Sequence, residues 1–377
     1  MASDYQVVII GAGVVGLAVA RGLAEQGVNS VLIIEKEDAF GRGISSRNSE
    51  VIHSGIYYPP GSLKAKYCQL GREKLYSFCR ENDIWHSRCG KLVAAQEGQE
   101  NELQDLYENA LANEIPELSL LDKEQVAVME PEISVASALF IGCTGIISAH
   151  ELMAAFYRIS EDGDHDIILK AQTMGVEPKG NSYSISVKGP GEASYKVTAD
   201  WVVNAAGLYS DMVAEMVWGT DDISRPALHL VKGSYFKLAP SWRNRIQHLV
   251  YPLLDSTHDS LGIHISFDAG GDVKLGPSVE WLSERKEDYA VREEDSIFFY
   301  EEAKRYLPAL KQEDLTPDFS GIRPKLAPNE DNYSDFYIRH EEDRSFPGWI
   351  NLIGIDSPGL TAAIAIGETV ASWIKES

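Results

Sequence analysis

Six residues near the N-terminus constrain this chain more than any others. Gly11-Ala12-Gly13-Val14-Val15-Gly16 follows an apolar run at 6–10 and precedes Leu17, Ala20, Leu23 and Ala24, spaced as one face of a helix that ends at Gly27. A second apolar run, 30–34, ends in Glu35, 24 positions after the first glycine. This order predicts strand, tight turn, helix and parallel strand. Gly11 permits the sharp turn, Gly13 lets backbone N–H groups approach a pyrophosphate, and Gly16 lets the helix pack closely on the sheet. The helix N-terminus, with Val14 and Val15, offers partial positive charge to the phosphates. Glu35 would accept hydrogen bonds from ribose hydroxyls, with Lys36 beside it. The motif alone suits either FAD or NAD.

The remaining chain has to supply a core and a second ligand. At roughly 100–200 residues per domain, 377 residues suggest two domains. A hydrophobic share of 44% and a charged share of 24% are ordinary for a globular protein and exclude disorder and coiled coil. With 34 basic against 57 acidic residues the net charge is −23, which argues against nucleic acid as a partner. It also argues against docking on anionic lipid, although other peripheral membrane contact stays open. An anionic substrate would need a locally positive pocket set against that global field. No apolar run reaches the ~20 residues of a membrane span, and the opening residues show no basic and apolar leader. Four cysteines without a C-x-x-C pair fit a reducing cytoplasm, and the nine histidines show no zinc spacing, so no metal is expected.

Further elements follow from pattern. A helix is expected from Ser62 through Leu63, Leu70, Leu75 and Phe78. The stretch 93–129 reads as helix and turn, with Asp122 and Gln125 as a capping box. Strands are expected at 167–171, 183–187 and 195–203, the last followed by the small residues Ala205, Ala206 and Gly207. Four more are expected at 228–238, 246–251, 261–267 and 272–275. A helix at 295–306, a buried strand at 349–353 and an Ala/Ile/Gly-rich helix at 360–374 complete the reading.

Four segments carry a family resemblance. They are Gly11–Gly16 with Glu35; Arg47-Asn48-Ser49-Glu50-Val51-Ile52-His53-Ser54-Gly55-Ile56-Tyr57-Tyr58 with Gly61-Ser62-Leu63-Lys64-Ala65; Tyr251-Pro252 with Gly262-Ile263-His264; and Gly321-Ile322-Arg323 with Ser357-Pro358-Gly359-Leu360. On these the chain resembles the FAD-dependent oxidoreductases of the D-amino-acid-oxidase-like superfamily, most closely the L-2-hydroxyglutarate dehydrogenase/oxidase family. It departs from many members in having Glu50 where they have glycine, and in being shorter between Leu275 and Gly321.

The resemblance implies an α/β fold, α+β overall, in which a Rossmann-like FAD-binding domain (1–80, 145–225 and 320–377) interleaves with a β-sheet substrate domain (81–144 and 226–319). It implies that the loop with Ser45, Ser46, Arg47, Asn48 and Ser49 passes the flavin, that Val176 sits near the adenine, and that Ala206 and Gly207 lie close to the dinucleotide. Pro358, Gly359, Leu360 and Thr361 would aim a helix N-terminus at the flavin, where positive potential favours the reduced ring.

Oxidising a secondary alcohol requires removal of the hydroxyl proton, and His53 and His264 are the candidate bases. Arg323, also near the flavin, is the leading carboxylate anchor because its planar fork matches a carboxylate. Lys232, Tyr235 and Tyr251 are further substrate candidates, and Lys64 and Lys66 are expected in solvent. The implied reaction is oxidation of a small 2-hydroxy acid to the 2-oxo acid, with a quinone, a carrier protein or oxygen taking the electrons. An amine oxidase of the glycine or sarcosine type, a non-catalytic FAD-holding subunit and an NAD-dependent dehydrogenase are the alternatives.

Overall fold

The structure, a computed structural model, describes residues 2–219, 226–253, 262–326 and 333–376. The chain begins β1 (Tyr5–Ile10), α1 (Val14–Glu25), β2 (Val31–Ile34), β3 (Val51–Ile52), α2 (Leu63–Glu81), β4 (His86–Ser87), β5 (Lys91–Ala95) and α3 (Glu100–Ala112). Next come β6 (Leu118–Asp122), α4 (Lys123–Met129), β7 (Ser137–Ile141), β8 (Gly145–Ile147), α5 (Ala149–Asp162), β9 (Asp166–Ile168), β10 (Gln172–Lys179), β11 (Ser182–Lys188) and β12 (Ser194–Asn204). After α6 (Ser210–Trp218) lie β13 (His229–Leu238), β14 (Leu249–Pro252), β15 (Ile265–Phe267), β16 (Val273–Leu275) and β17 (Glu280–Trp281). The chain closes with α7 (Ser296–Lys304), β18 (Leu315–Lys325), β19 (Tyr337–His340), β20 (Trp349–Ile353) and α8 (Gly359–Lys375).

The first sheet has eight strands. β9, β2, β1, β12 and β20 run parallel, with Val7 opposite both Val31 and Trp201. β19 and the β10–β11 hairpin add antiparallel strands. Parallel centre strands are covered on both faces, which is why 7–10 and 31–34 are apolar at every position. Val7, Ile9, Val31 and Ile33 meet α1, α2 and α8; Val8, Ile10, Leu32 and Ile34 meet the layer around β10, β11 and α6. Glycines set the helix spacing: a Cβ on Gly367 of α8 would lie 2.3 Å from the Ala18 carbonyl oxygen of α1, and one on Gly71 of α2 2.1 Å from that of Thr361.

The second sheet has nine strands, ordered β6-β7-β5-β14-β15-β16-β13, with β17 and β18 also on β13. α7 packs beneath it through Phe299 on Phe236, ring centroids 4.6 Å apart. A small third sheet is ordered β3-β8-β4, and its Val51 and Ile146 pack against Leu249 and Tyr251 of the second. The sheets interleave along the chain, and β18 extends the second sheet across position 320, so Arg323 rises from the nine-stranded sheet and not from the first.

The Ser62 and Asp122–Gln125 caps form as expected. β5 and β6 replace the expected helix and turn, and β3, β4, β7, β8, β10, β17, β18 and β19 form where no strand was expected. Leu261, the expected start of a strand, lies outside the described residues. Among the described residues no helix is long and apolar enough to cross a membrane.

Candidate active site

A cavity of about 940 Å³ runs along the C-terminal ends of β1 and β2 and continues beneath the second sheet. It is near the upper end of the ~300–1,000 Å³ usual for cofactor and ligand sites.

Its first part is a dinucleotide cradle. Gly11 has φ +107°, and a Cβ there would lie 2.5 Å from the Ala205 carbonyl oxygen, so no other residue fits without displacing backbone. A Cβ on Gly16 would lie 2.0 Å from the Gly11 carbonyl oxygen, so α1 starts directly against the turn. Gly16 does not line the cavity; its part is packing. Glu35 ends β2 and holds the turn from below: Oε2 accepts the Ala12 N–H at 2.7 Å and Oε1 the Glu37 N–H at 2.9 Å. Ser45 Oγ accepts the Val14 N–H at 2.9 Å. Val15, Lys36, Ala206 and Gly207 line the same stretch, with Gln172, Thr173, Met212 and Met216.

A strap from the second sheet closes this part. Glu287 accepts the Tyr209 hydroxyl at 2.5 Å and the Tyr289 hydroxyl at 2.8 Å, and pairs with Lys36 at 3.3 Å. Burial pushes the Glu287 carboxyl up, but these hydroxyls and the Lys36 ammonium outweigh it and hold it below its ordinary value. Arg47 lies 4.1 Å from the centre of the Tyr289 ring.

The middle is the loop 41–49. Asn48 braces it, donating to the Ser45 carbonyl at 2.8 Å and accepting the Glu50 N–H at 2.8 Å. A Cβ on Gly321 would lie 2.1 Å from the Arg47 carbonyl oxygen, so loop and β18 touch backbone to backbone. Glu50, where glycine is the family habit, has φ +55°, which explains glycine's suitability there. Its carboxylate compensates by accepting the Ala149 N–H at the start of α5, at 2.9 Å.

The far part is aromatic and basic. His53 follows β3, its N–H bonded to Thr361 Oγ1 at 3.0 Å and its Nε2 3.2 Å from Ser357 Oγ. Burial and then the Lys91 charge push its pKa down to about 3, so the ring is neutral. His264 stacks flat on Tyr251, centroids 3.6 Å apart and planes 11° apart. Tyr235 faces the same space; burial raises its pKa against the pull of Ser49 and Arg323. Arg323 brings Nε and Nη2, both buried and without a hydrogen-bond acceptor among the described residues. Lys64 Nζ pairs with Asp356 Oδ1 at 2.8 Å, where the chain enters α8 through Ser357, Pro358, Gly359 and Leu360.

Most of the expected residues therefore converge, and five positions need correction. Val176 lies on β10 beyond Thr173, its side chain in the core against Tyr183 and Ile185. Ser46 is exposed, its hydroxyl on the Gly43 carbonyl. Thr361 is buried behind His53 and orients it instead of lining the cavity. Lys232 points to the opposite face of β13 from Tyr235 and donates to the Ala290 carbonyl at 2.6 Å. Lys64 is buried and paired, not solvated. A signal for the last existed: a lysine in a first helical turn opposes the helix dipole unless an acid neutralises it. Asp356 and Glu287 line the cavity and were missed, as was Lys91, which lies behind the Tyr57 and Tyr251 rings; only the tertiary fold brings them there.

The residues fit FAD. The glycine cradle, the open helix N-terminus and the acid at the end of β2 suit its diphosphate and ribose, and the cavity continues past them to the loop 41–49, His53, Tyr235 and Arg323.

A family model described as FAD dependent oxidoreductase matches residues 6–373. The mitochondrial L-2-hydroxyglutarate dehydrogenase of Arabidopsis thaliana is 36% identical over 97% of this chain and 82% of its own length. A glycerol 3-phosphate dehydrogenase of Caloramator mitchellensis is 32% identical over 98% of this chain and 74% of its own. Among solved structures, the FAD-bound L-alpha-glycerophosphate oxidase of Mycoplasma pneumoniae superposes with a TM-score of 0.85 at 22% identity, covering 99% of this chain and 95% of that one.

Proposed function

The chain belongs to the FAD-dependent oxidoreductase family, and from that premise we propose that it oxidises a small 2-hydroxy acid of the L-2-hydroxyglutarate kind to the 2-oxo acid. The observation that carries this reading is one pairing: a neutral imidazole, His53, held by Ser357 and Thr361, in the same cavity as Arg323 with two unmet donors.

Arg323 would bind the carboxylate next to the reacting carbon through Nε and Nη2. His53 Nε2 would accept the hydroxyl proton, with Ser357 Oγ orienting the ring. Bound FAD supplies the acceptor for the hydride leaving that carbon. Before substrate binds, His53 holds a proton poorly. A carboxylate arriving beside it raises its proton affinity at the moment a base is needed. His264, stacked on Tyr251, would wall the substrate pocket, and Tyr235 would contribute its hydroxyl. Gly11, Gly13, Val14, Val15, Glu35, Ala206 and Gly207 would hold the dinucleotide.

We read the chain as two interleaved units, with β18 assigned to the substrate unit. Four free thiols suit a reducing compartment, for which the cytoplasm is our reading and the mitochondrion the alternative that the Arabidopsis relative raises.

A second reading rests on the Caloramator relative: a hydroxyl beside a phosphate-bearing arm. The test is anaerobic addition of L-2-hydroxyglutarate, glycerol 3-phosphate, glycine and sarcosine, one at a time, to the purified yellow protein. Bleaching by L-2-hydroxyglutarate alone is expected. Bleaching by glycerol 3-phosphate alone would move the assignment to the second reading, and bleaching by the amines alone would overturn both.

A further inference from the structure

Lys91 opens β5 and is 1% exposed. Its Nζ lies 4.7 Å from the centre of the Tyr57 ring and 4.8 Å from that of Tyr251; both rings line the cavity, and Lys91 stands directly behind them. Among the described residues it has no ion pair and no hydrogen bond, and burial lowers its pKa to about 8, against the weaker pull of the Cys143 and Cys68 thiols. Ring faces attract a cation but do not replace the water it has lost.

This is unusual within the site. Lys64 is neutralised by Asp356, and Lys36 by Glu37 and Glu287. Acids outnumber bases 57 to 34, so carboxylates are plentiful, yet among the described residues none pairs with Lys91 or with Arg323 Nε and Nη2. Tyr251, 4.8 Å from Lys91 Nζ, feels Tyr235, and Tyr235 in turn feels Arg323, so the two rings connect the surroundings of the two cations. Two desolvated cations without acids, spaced along an aromatic wall, form slots for anions from outside.

We propose that Lys91 is the specificity-determining residue of the pocket, receiving the distal anionic group of a dianionic substrate whose near carboxylate sits on Arg323. This rests on the reading above, whose L-2-hydroxyglutarate is a dicarboxylate, and assigns the residue that holds its second carboxylate. It also links specificity to chemistry. Lys91 is the charge that, after burial, depresses the proton affinity of His53. A distal carboxylate on Lys91 cancels that field, so a dicarboxylate readies the base as it binds, and a monocarboxylate does not.

The test compares 2-oxoglutarate with its 5-methyl ester, an open chain whose distal group is neutral, by their perturbation of the flavin spectrum of the FAD-loaded protein. The native protein should bind the diacid at least about tenfold more tightly. In Lys91→Met the preference should fall to within about twofold, through loss of diacid affinity with the ester's affinity unchanged. A native protein that does not distinguish the two ligands contradicts the dicarboxylate reading itself. A preference that survives in Lys91→Met leaves that reading standing and overturns the role of Lys91. Equal weakening of both ligands assigns Lys91 to packing and also overturns it. If Lys91→Met yields no yellow protein, a crystal structure of the native protein with 2-oxoglutarate decides: the distal carboxylate lies within hydrogen-bond reach of Lys91 Nζ, or the proposal fails.

Discussion

Lys64 Nζ and Asp356 Oδ1 lie 2.8 Å apart with side chains 9% and 6% exposed, joining the first turn of α2 to the entry of α8. The pair anchors the segment that carries Ser357 against His53. Removing one member of a buried pair leaves the other charge without compensation, at a cost of about 3–5 kcal/mol. Asp356→Asn should lose about that much stability in chemical denaturation, and Lys64→Met with Asp356→Leu should recover most of it. A single variant as stable as the native protein would show the pair to be incidental.

The His53 ring also makes a prediction about stability. Its pKa falls from an ordinary 6.5 to about 3 on folding, so between those values the unfolded chain binds the additional proton. Stability from this group is therefore level above about pH 6.5 and falls as pH drops toward about 3. His165 and His340, also depressed by burial, slope the same way, so the informative quantity is a difference. Native protein should lose more stability than His53→Gln between pH 7 and pH 5 (roughly the range over which unfolded histidine gains its proton). Parallel pH curves for the two would contradict a neutral His53.

Gly11 tests the cradle. Alanine there must hold φ +107° and set its Cβ 2.5 Å from the Ala205 carbonyl oxygen. Left-handed backbone alone costs about 1–2 kcal/mol, before the clash. Gly11→Ala should purify with little or no flavin, read by absorbance after denaturation. A fully yellow Gly11→Ala protein would place the dinucleotide elsewhere.

Glu287 tests the strap. Three groups converge on its carboxylate, and none belongs to the aromatic end of the cavity. Glu287→Ala should raise the FAD dissociation constant several-fold, about 1 kcal/mol for hydrogen bonds at a partly exposed position, while the bleaching rate of the loaded protein stays unchanged. An unaltered dissociation constant would remove the strap from cofactor retention.

Much of this site could be read from the residues, for reasons the elements make plain. The β1–α1–β2 unit was legible because parallel centre strands must be apolar on both faces and the turn between them needs glycine. His53, Arg323 and Tyr251 were legible through a family pattern. Strand β5 was not: Val93-Ala94-Ala95 carries alanines that favour helix, and its burial between β7 and β14 overrides that preference. β6 and β10 are largely exposed and lack a clean alternation. Lys232 and Tyr235 could not both face the cavity, because an odd separation along a strand puts side chains on opposite faces. That parity follows from the spacing of the two residues alone. Lys91 and Glu287 had no local signal, since their significance lies in partners far away in the chain.

The most direct test of the central claim is a single anaerobic turnover of the loaded protein with L-2-hydroxyglutarate carrying hydrogen or deuterium on the hydroxyl-bearing carbon, in native protein and in His53→Gln. The account predicts rapid flavin bleaching in the native protein, slowed by deuterium, and bleaching reduced about 10²–10⁴-fold in His53→Gln, as expected for loss of a general base. Undiminished bleaching in His53→Gln, or none in the native protein, would contradict it.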